Sequence, residues 1–281
     1  MDYPTPIVSA AWLHDHIEAE QVQVVDCRFA LMDPTLGIRQ YQSGHIPGAV
    51  HLDLNRDLSS PVQPHGGRHP LPNIDTLAKT LGQCGIQSQK TFVVAYDDSR
   101  FAFAARLWWL LRYMGHEQVA VLDGGLLGWQ NAGYGITQDI PERQSVVFEP
   151  YLQSDWVVDI NHVKQHKDLP GVVLVDSRQG DRYRGEREPI DPVAGHIPGA
   201  VNLFWQDVTT SDGHAKSVEL QQARWRTADP SPTRPITQAD EIIVYCGSGV
   251  TACVNLLSLE LAGIAGGKLY AGSWSDWCSY L

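Results

Sequence analysis

The stretch Gly44–Val50, which reads GHIPGAV, recurs letter for letter at Gly195–Val201. The offset is 151 residues, counted from His45 to His196. Further blocks repeat at nearly the same distance and in the same order: VVDCR at 24–28 with LVDSR at 174–178, Tyr96 with Tyr245, and GGLLGW at 124–129 with GSWSDW at 272–277. A seven-residue identity that stands in register with other blocks indicates an internal duplication.

Each copy is the size of a domain, because the period is about 150 residues and not the 20 to 50 of a solenoid repeat. Apolar runs of strand length, such as VQVVD at 22–26, alternate with helical stretches such as ARLWWLLRYMG at 105–115. This alternation predicts an α/β fold with two tandem domains, each a parallel sheet covered by helices on both faces. We predict domains at 1–137 and 156–281, joined by a linker at 138–155 that has no helical period and contains two prolines.

The composition excludes several classes of partner. The 281 residues include 21 Lys and Arg against 32 Asp and Glu, for a net charge of -11, which argues against nucleic acid and anionic membranes. An anionic substrate must therefore find a locally positive site. The N-terminal residues show no basic stretch followed by an apolar run, and no apolar segment reaches the length of a membrane span, so we predict a cytoplasmic location.

The cysteines and one polar segment give further expectations. Five cysteines, an odd number, lack CxxC and Cys/His ligand spacing, so we predict neither a disulfide framework nor a metal site, and no cofactor. At least one thiol is then free. The segment 209–240, rich in Pro, Ser, Asp and Gln, is predicted to be mostly a surface loop.

Cys246 follows the apolar run EIIVY at 241–245 and precedes a helical stretch at 252–261. The loop between them reads Cys246, Gly247, Ser248, Gly249, Val250, Thr251. Two glycines let the backbone curl so that successive N–H groups can point at the sulfur, and the helix dipole also favours an anion there. The loop is thus a candidate cradle for a thiolate and for a persulfide.

The first copy has Asp97 where the second has Cys246, so it cannot carry out thiolate chemistry. Cys253 falls within the helical stretch that follows the loop, and the remaining three thiols, Cys27, Cys84 and Cys278, lack a glycine cradle. All four are predicted to be packing residues. A lone cysteine at a strand end is by default a small buried hydrophobe, and the Gly-Ser-Gly loop favours the catalytic interpretation for Cys246.

Together, the Asp-x-Arg blocks, the GHIPGA repeat, the CGSGVT loop at 246–251 and the GSWSDW block resemble the tandem-domain rhodanese family of thiosulfate and 3-mercaptopyruvate sulfurtransferases. The resemblance covers nearly the whole chain. It implies an inactive N-terminal rhodanese-like domain and a catalytic C-terminal one. It also implies that Cys246 takes sulfur from a small anionic donor as a persulfide and passes it to a thiol acceptor such as thioredoxin, or to cyanide.

The resemblance also bears on the donor. Thiosulfate enzymes of the family typically carry Arg and Lys after the cysteine, whereas mercaptopyruvate enzymes carry Gly and Ser or Ala, as in Gly247 and Ser248 here. The neutral loop therefore favours 3-mercaptopyruvate, with thiosulfate as the alternative donor. Substrate-binding roles are implied for Ser248, for His69 and for Arg182, which stands in an Arg-aromatic pair.

Two positions depart from the mercaptopyruvate pattern. Ile190 replaces the arginine of a Glu-Pro-Arg triplet, for which Arg184 or Arg187 could substitute, and Asn55 stands at the aspartate of a proposed Ser/His/Asp arrangement. Two other functions stay open. A phosphatase of the Cys-x5-Arg type would need arginine where Ala252 stands. A noncatalytic persulfide relay for a dedicated protein partner would leave no motif.

Overall fold

The computed structural model describes residues 6–227 and 236–281, which form two compact units. Unit 1 consists of the described residues up to Ser60 together with Leu71–Gln153 and Thr209–Ala215. Unit 2 consists of Pro61–Pro70, Ser154–Val208 and the described part of Lys216–Leu281. Each unit thus includes one short segment from the other half of the chain. The boundaries at residues 137 and 156, and the linker between them, stay predictions.

The described residues of unit 1 form five strands and five α-helices. Its elements are β1 (Ile7–Val8), α1 (Ala10–His16), β2 (Val22–Asp26), α2 (Leu36–Ser43), β3 (Val50–His51), α3 (Ile74–Gln83), β4 (Phe92–Tyr96), α4 (Ala104–Tyr113), β5 (Val119–Leu122) and α5 (Gly125–Asn131). Side chains of Ser9 and Asn73 accept N–H bonds at the starts of α1 and α3, as N-caps do.

Unit 2 repeats this order among its described residues. Its elements are β6 (Val157–Val158), α6 (Ile160–His166), β7 (Val172–Asp176), α7 (Gly180–Tyr183), β8 (Val201–Asn202), α8 (Val218–Thr227), β9 (Glu241–Tyr245), α9 (Ala252–Leu261), β10 (Gly267–Tyr270) and α10 (Ser273–Cys278). Short 3-10 helices lie at Ser154–Trp156, Trp205–Val208 and Ile236–Gln238.

The two sheets have the same topology. Their strand orders are β1-β5-β4-β2-β3 and β6-β10-β9-β7-β8, and every adjacent pair is parallel. All residues of the inner strands β2, β4 and β9 are buried, although successive side chains point to opposite faces. Both faces are therefore covered, and the predicted α/β fold with two parallel sheets is confirmed.

The repeated Asp-x-Arg and GHIPGA blocks have a structural role in both units. Arg28 forms an ion pair with buried Asp26 at 2.6 Å and donates to the carbonyl oxygen of Gly44 at 2.8 Å. Arg178 forms the same pair with Asp176 at 2.7 Å and donates to the first glycine of the second GHIPGA. These contacts tie the loop ahead of each short third strand to the middle of its sheet.

The loop prediction for 209–240 is wrong at Val218–Thr227, which forms α8. Trp225 is fully buried on this helix, and its indole N–H donates to Ser258 Oγ at 2.9 Å. Gln221, one turn earlier, is buried as well. The polar composition of the segment concealed that Gln221 and Trp225, four residues apart, face inward from the same side of the helix. The rest of the predicted loop at 228–235 lies outside the described residues. Within the described ranges, no helix combines the length and apolar character that crossing a bilayer would require.

Candidate active site in unit 2

The loop formed by residues 246–251, called here the Cys246 loop, connects β9 to α9. Cys246 is 2% exposed, so its thiol lies beneath the surface of the unit. The loop is anchored to α10: the N–H of Trp274 donates to the Cys246 carbonyl oxygen at 3.0 Å, and that of Ser275 donates to the Gly247 carbonyl oxygen at 2.9 Å. The cysteine therefore stands at the carboxyl end of an inner strand, with its backbone fixed.

Gly249 makes the tight course of this loop possible. Its φ of +77° lies in the left-handed region, and a Cβ there would overlap the carbonyl oxygen of Ala271. Any other residue would meet both the strain of positive φ and this clash. Val250 is buried and Thr251 is half-buried at the start of α9.

In unit 1, the loop that corresponds to the Cys246 loop follows β4 and surrounds the side chain of Asp97. Asp97 follows β4 as Cys246 follows β9, and the carboxylate of Asp97 is buried. Four backbone N–H groups donate to it at 2.8–3.1 Å, namely those of Ser99, Phe101, Phe103 and Ala104. Burial raises the pKa of Asp97, and these N–H bonds oppose the rise.

The sheet register carries this comparison into unit 2. Tyr96 pairs with Asp26 on β2, and Tyr245 pairs with Asp176 on β7 in the same way. The N–H groups equivalent to the four donors around Asp97 then belong to residues 248, 250, 252 and 253. In unit 2 the N–H of Cys253 donates to the carbonyl oxygen of Val250 at 3.0 Å, so the N–H groups of residues 248, 250 and 252 are the candidate cradle for a negatively charged sulfur at Cys246.

Two guanidinium groups flank the Cys246 loop. A Cβ built on Gly247 would lie 2.9 Å from Nη2 of Arg68 and 3.7 Å from both terminal nitrogens of Arg182. Burial lowers the pKa of Arg68, a thiolate at Cys246 raises it, and the nearby charge of Arg182 lowers it. The loop itself is neutral, but its immediate surroundings carry two cations.

Two buried carboxylates hold these cations. Arg182 donates to Glu188 at 2.7 and 3.1 Å and to Asp191 at 3.1 Å. Arg68 forms an ion pair with the other oxygen of Asp191. We call these four residues the arginine–acid cluster. It presents guanidinium groups to the loop, while its charges balance internally.

His69 and Ser248 are brought together. Nδ1 of His69 lies 2.7 Å from Ser248 Oγ, and both side chains are buried. The segment Pro61–Pro70 carries His69 and Arg68 into unit 2. A hydroxyl paired with an imidazole thus stands two residues after Cys246.

Gly66 and Gly67 explain how this segment reaches the loop. The N–H of Gly66 donates to Asp276 Oδ1 at 2.7 Å, and that of Arg68 donates to Ser275 Oγ at 3.1 Å. Gly67 has a φ of +82°, and a Cβ there would overlap the carbonyl oxygen of Gly272. The two glycines allow close backbone approach to the start of α10, which places the next two side chains beside the Cys246 loop.

The positions that depart from the mercaptopyruvate pattern, and the arginines predicted to compensate for them, do not lie at this site. Arg184 and Arg187 are more than half exposed and pair with Glu186 and Asp181 at 2.7 Å. Ile190 is exposed. Asn55 is exposed in unit 1, where its backbone N–H donates to Asp53.

The other thiols are poorer candidates for a thiolate. Burial raises the pKa of Cys27 well above its usual value, with a further rise from the Asp26 charge. Burial also raises the pKa of Cys84, to about 11, and that of Cys278. Cys253 is buried in α9, with Sγ 3.5 Å from the carbonyl oxygen of Gly249. These surroundings agree with their predicted packing role.

Sequence reasoning missed Arg68 and Asp191. Arg68 is adjacent to His69 in the stretch GGRHP, so the glycine pair was a signal that the backbone approaches another element there. Asp191 directly follows Ile190, the position where the expected arginine is absent. A carboxylate next to a missing cation signalled that the local charge balance differs from the family pattern.

Comparisons with known proteins agree with this architecture. A model of the rhodanese-like domain matches residues 9–132 and again 159–280. A probable 3-mercaptopyruvate sulfurtransferase of Pseudomonas aeruginosa is 44% identical over 273 residues, covering 96% of this chain and 94% of that protein. A putative thiosulfate sulfurtransferase of Mycobacterium tuberculosis is 37% identical over 278 residues, covering 97% and 94%.

The same relation holds in three dimensions. The crystal structure of SseA from Escherichia coli, solved to show the rhodanese fold and mechanism of 3-mercaptopyruvate sulfotransferases, superposes with a TM-score of 0.84. The two sequences are 32% identical, and the superposition covers 97% of this chain and 100% of the SseA chain. With the matched domain present twice and the relatives aligned over nearly their whole length, the chain belongs to the rhodanese family, as a member with two rhodanese-like domains in tandem.

Proposed function

We propose that this chain is a sulfurtransferase in which Cys246 carries sulfur, as a persulfide, from a small anionic donor to a thiol or to cyanide. The observation that carries the proposal is the Cys246 loop, whose counterpart in unit 1 surrounds the Asp97 carboxylate with four N–H donors. We infer that the N–H groups of the Cys246 loop stabilise a thiolate and, after transfer, a persulfide anion. The curated relatives are named as enzymes of this class.

The first half-reaction is an attack of the Cys246 thiolate on the donor sulfur. With 3-mercaptopyruvate, a sulfur–sulfur bond forms and the carbon–sulfur bond breaks. The electron pair of that bond becomes the enolate of pyruvate, which then takes up a proton. With thiosulfate, the broken bond is the sulfur–sulfur bond of the donor, and sulfite leaves with the electron pair.

Arg68 and Arg182 are proposed to bind the anionic group of the donor. Their guanidinium groups stand beside Gly247, next to the reacting cysteine. A protein with a net charge of -11 needs such a local cation pair to attract an anion. Guanidinium groups also match the planar geometry of a carboxylate.

Ser248 and His69 are proposed to act on the donor carbonyl. The Ser248 hydroxyl, held by His69 at 2.7 Å, can donate to the oxygen on which negative charge develops as the enolate forms. This arrangement helps only a donor that contains a carbonyl group. It therefore favours 3-mercaptopyruvate over thiosulfate.

The second half-reaction returns the enzyme to its starting state. A thiolate acceptor, for which thioredoxin is the predicted example, attacks the outer sulfur and releases Cys246 as a thiolate. Cyanide attacks in the same way and leaves as thiocyanate. A relay that delivers the persulfide to one dedicated protein uses the same step with a narrower acceptor, and the cytoplasmic location stays a prediction.

The second candidate donor is thiosulfate, which the two cations beside the neutral loop favour. Specificity constants for thiosulfate and 3-mercaptopyruvate, measured on one preparation with cyanide as acceptor, test the choice. We expect a higher value for 3-mercaptopyruvate together with measurable thiosulfate turnover. A higher value for thiosulfate would overturn the donor assignment, and turnover of neither would overturn the sulfurtransferase proposal.

A further inference from the structure

Unit 2 contains a second group of chemically active side chains, at the opposite end of β9 from Cys246. His162 and His166 lie one turn apart on α6, and Glu241 is the first residue of β9. Nε2 of His162 lies 2.9 Å from Oε1 of Glu241, and Nδ1 of His166 lies 3.2 Å from Oε2. We call these three residues the histidine cluster; their potential ligand atoms all lie within 4.8 Å of one another.

The duplicated half provides an internal comparison. The residues equivalent to His162 and His166 on α1 are Trp12 and His16, and the register of β2 with β4 puts Phe92 where unit 2 has Glu241. In unit 1 this corner is aromatic: Trp12 stacks on His16 at 4.2 Å and meets Phe92 edge-on at 5.3 Å. Unit 2 has an imidazole and a carboxylate in place of the two apolar rings.

We propose that His162, His166 and Glu241 form a binding site for a divalent zinc ion. Two imidazole nitrogens and one carboxylate are zinc ligands, and ligand atoms at ~2.0–2.2 Å in a tetrahedron lie about 3.4 Å from one another. The distances of 2.9 and 3.2 Å already approach that spacing. A fourth position is open to water, because the two histidine side chains are 27% and 37% exposed.

The charge of the cluster suits a cation. Glu241 pairs with the Lys268 ammonium at 2.7 Å and so contributes a negative charge to the cluster. The two imidazole rings lie with their centroids 3.7 Å apart, and one nitrogen of each ring lies beside the same carboxylate.

Lys268 provides a way to distinguish a zinc site from an ion-pair network. Its ammonium lies 2.7 Å from Oε1 of Glu241 and so neutralises the carboxylate that zinc would bind. Zinc must displace this ammonium, whose side chain is 29% exposed and can turn into water. Removing the charge at Lys268 should therefore strengthen zinc binding, whereas a cluster that serves only as an ion-pair network would gain no metal affinity.

Zinc bound at the histidine cluster would crosslink two elements of unit 2. The metal would link α6 to the first residue of β9, joining elements that are 75 and 79 residues apart in sequence at their contacts. Cys246 stands five positions further along, about 16 Å away at ~3.3 Å per residue. The site is thus expected to stabilise unit 2 without taking part in sulfur transfer.

Zinc titration of the full-length, chelator-treated protein by isothermal titration calorimetry tests the proposal. We expect one zinc ion per chain in the wild type, at least about tenfold weaker binding in His162→Ala with His166→Ala and in Glu241→Gln, and roughly tenfold tighter binding in Lys268→Met. His16→Ala is the matched control from unit 1 and should bind as the wild type does. Magnesium should not bind, because imidazole is a poor ligand for it.

Thermal unfolding with and without zinc supplies a second readout. Zinc should raise the unfolding temperature of the wild type and of His16→Ala, but not that of the double histidine variant. The proposal is overturned if the wild type binds no zinc, or if the double histidine variant binds zinc as tightly as the wild type. Sulfurtransferase activity should be unchanged in every variant of the cluster, whatever the outcome for the donor.

Discussion

In the arginine–acid cluster, the carboxylate of Asp191 lies 3.1 Å from Nη2 of Arg182, and the Asp191 side chain is only 2% exposed. The other carboxylate oxygen pairs with Arg68. The two guanidinium groups beside the Cys246 loop are thus already occupied by an internal anion. Asp191 pairs with Nη1 of Arg68 and Nη2 of Arg182, whereas Nη2 of Arg68 and Nη1 of Arg182 lie beside Gly247. An anionic donor would thus share both guanidinium charges with Asp191, so this residue is expected to influence the donor affinity.

We expect Asp191→Asn to lower the KM for an anionic donor by about tenfold, which corresponds to ~1.4 kcal/mol. The amide keeps the shape and can still accept a hydrogen bond, but it frees positive charge for the donor. Steady-state kinetics with both donors measures the change. The matched control is Glu186→Gln, which removes an exposed carboxylate paired with Arg184 and should leave KM unchanged.

A higher KM in Asp191→Asn would contradict this prediction, provided that the variant is folded. Removing one charge from a buried network can itself cost a few kcal/mol of stability. The unfolding temperature should therefore be measured alongside the kinetics, so that a loss of folded protein is not mistaken for a loss of affinity.

Cys246→Ser should abolish sulfur transfer and leave the fold intact, because the side chains are nearly isosteric and serine forms no alkoxide at neutral pH. Mass spectrometry after incubation with donor should show one added sulfur on the wild type only. Cys84→Ser, which changes a thiol with a pKa raised to about 11, should still acquire the sulfur. Sulfur mapped to Cys84, or retained by Cys246→Ser, would show that another thiol is the nucleophile.

Arg182→Ala should raise the KM for the donor by about tenfold to a hundredfold, since a charge-assisted contact contributes roughly 1.5–3 kcal/mol. The variant should also be less stable, because Glu188 and Asp191 lose a buried partner. Arg184→Ala removes an exposed arginine from the same region and should change neither property. If Arg182→Ala lowers the unfolding temperature but leaves KM unchanged, Arg182 is purely structural.

Ser248→Ala and His69→Asn should each reduce turnover of 3-mercaptopyruvate more than that of thiosulfate, because only the former has a carbonyl group to polarise. The two residues contact each other, so their effects should not add in the double variant. A double-mutant cycle with both donors measures the coupling. Equal losses for the two donors would show that the pair shapes the loop and does not act on the carbonyl.

The fold could be predicted because its signals are local and occur twice. The apolar runs that became β2, β4, β7 and β9 are contiguous in sequence, and the repeated GHIPGA blocks indicated that the same elements occur in both copies. Cys246 could also be singled out, since its glycine loop is contiguous with it. Helix α8 was missed because its burial depends on the contact between Trp225 and Ser258, and the composition of the α8 segment does not indicate that contact.

Only part of the charge of the site could be predicted: the family resemblance implied Arg182, but Arg68 and Asp191 come from distant parts of the chain. Arg68 and Asp191 are 123 residues apart, and nothing near Gly247 in sequence indicates a cation. The neutral loop therefore does not make a neutral site. A Cβ at position 247 would lie 2.9 Å from Nη2 of Arg68, so any larger residue introduced there would require the Arg68 side chain to shift.

The membership of Pro61–Pro70 in unit 2 has a consequence for how the protein is made. His69 meets Ser248 across 179 residues of chain, so this pair closes a very long loop. During synthesis, Pro61–Pro70 leaves the ribosome long before β9 is made, so this segment cannot form its contacts with unit 2 until then. Assembly of the proposed site is therefore among the last steps of folding for the nascent chain, and a polypeptide cut between the two copies would carry Cys246 on one fragment and His69 on the other.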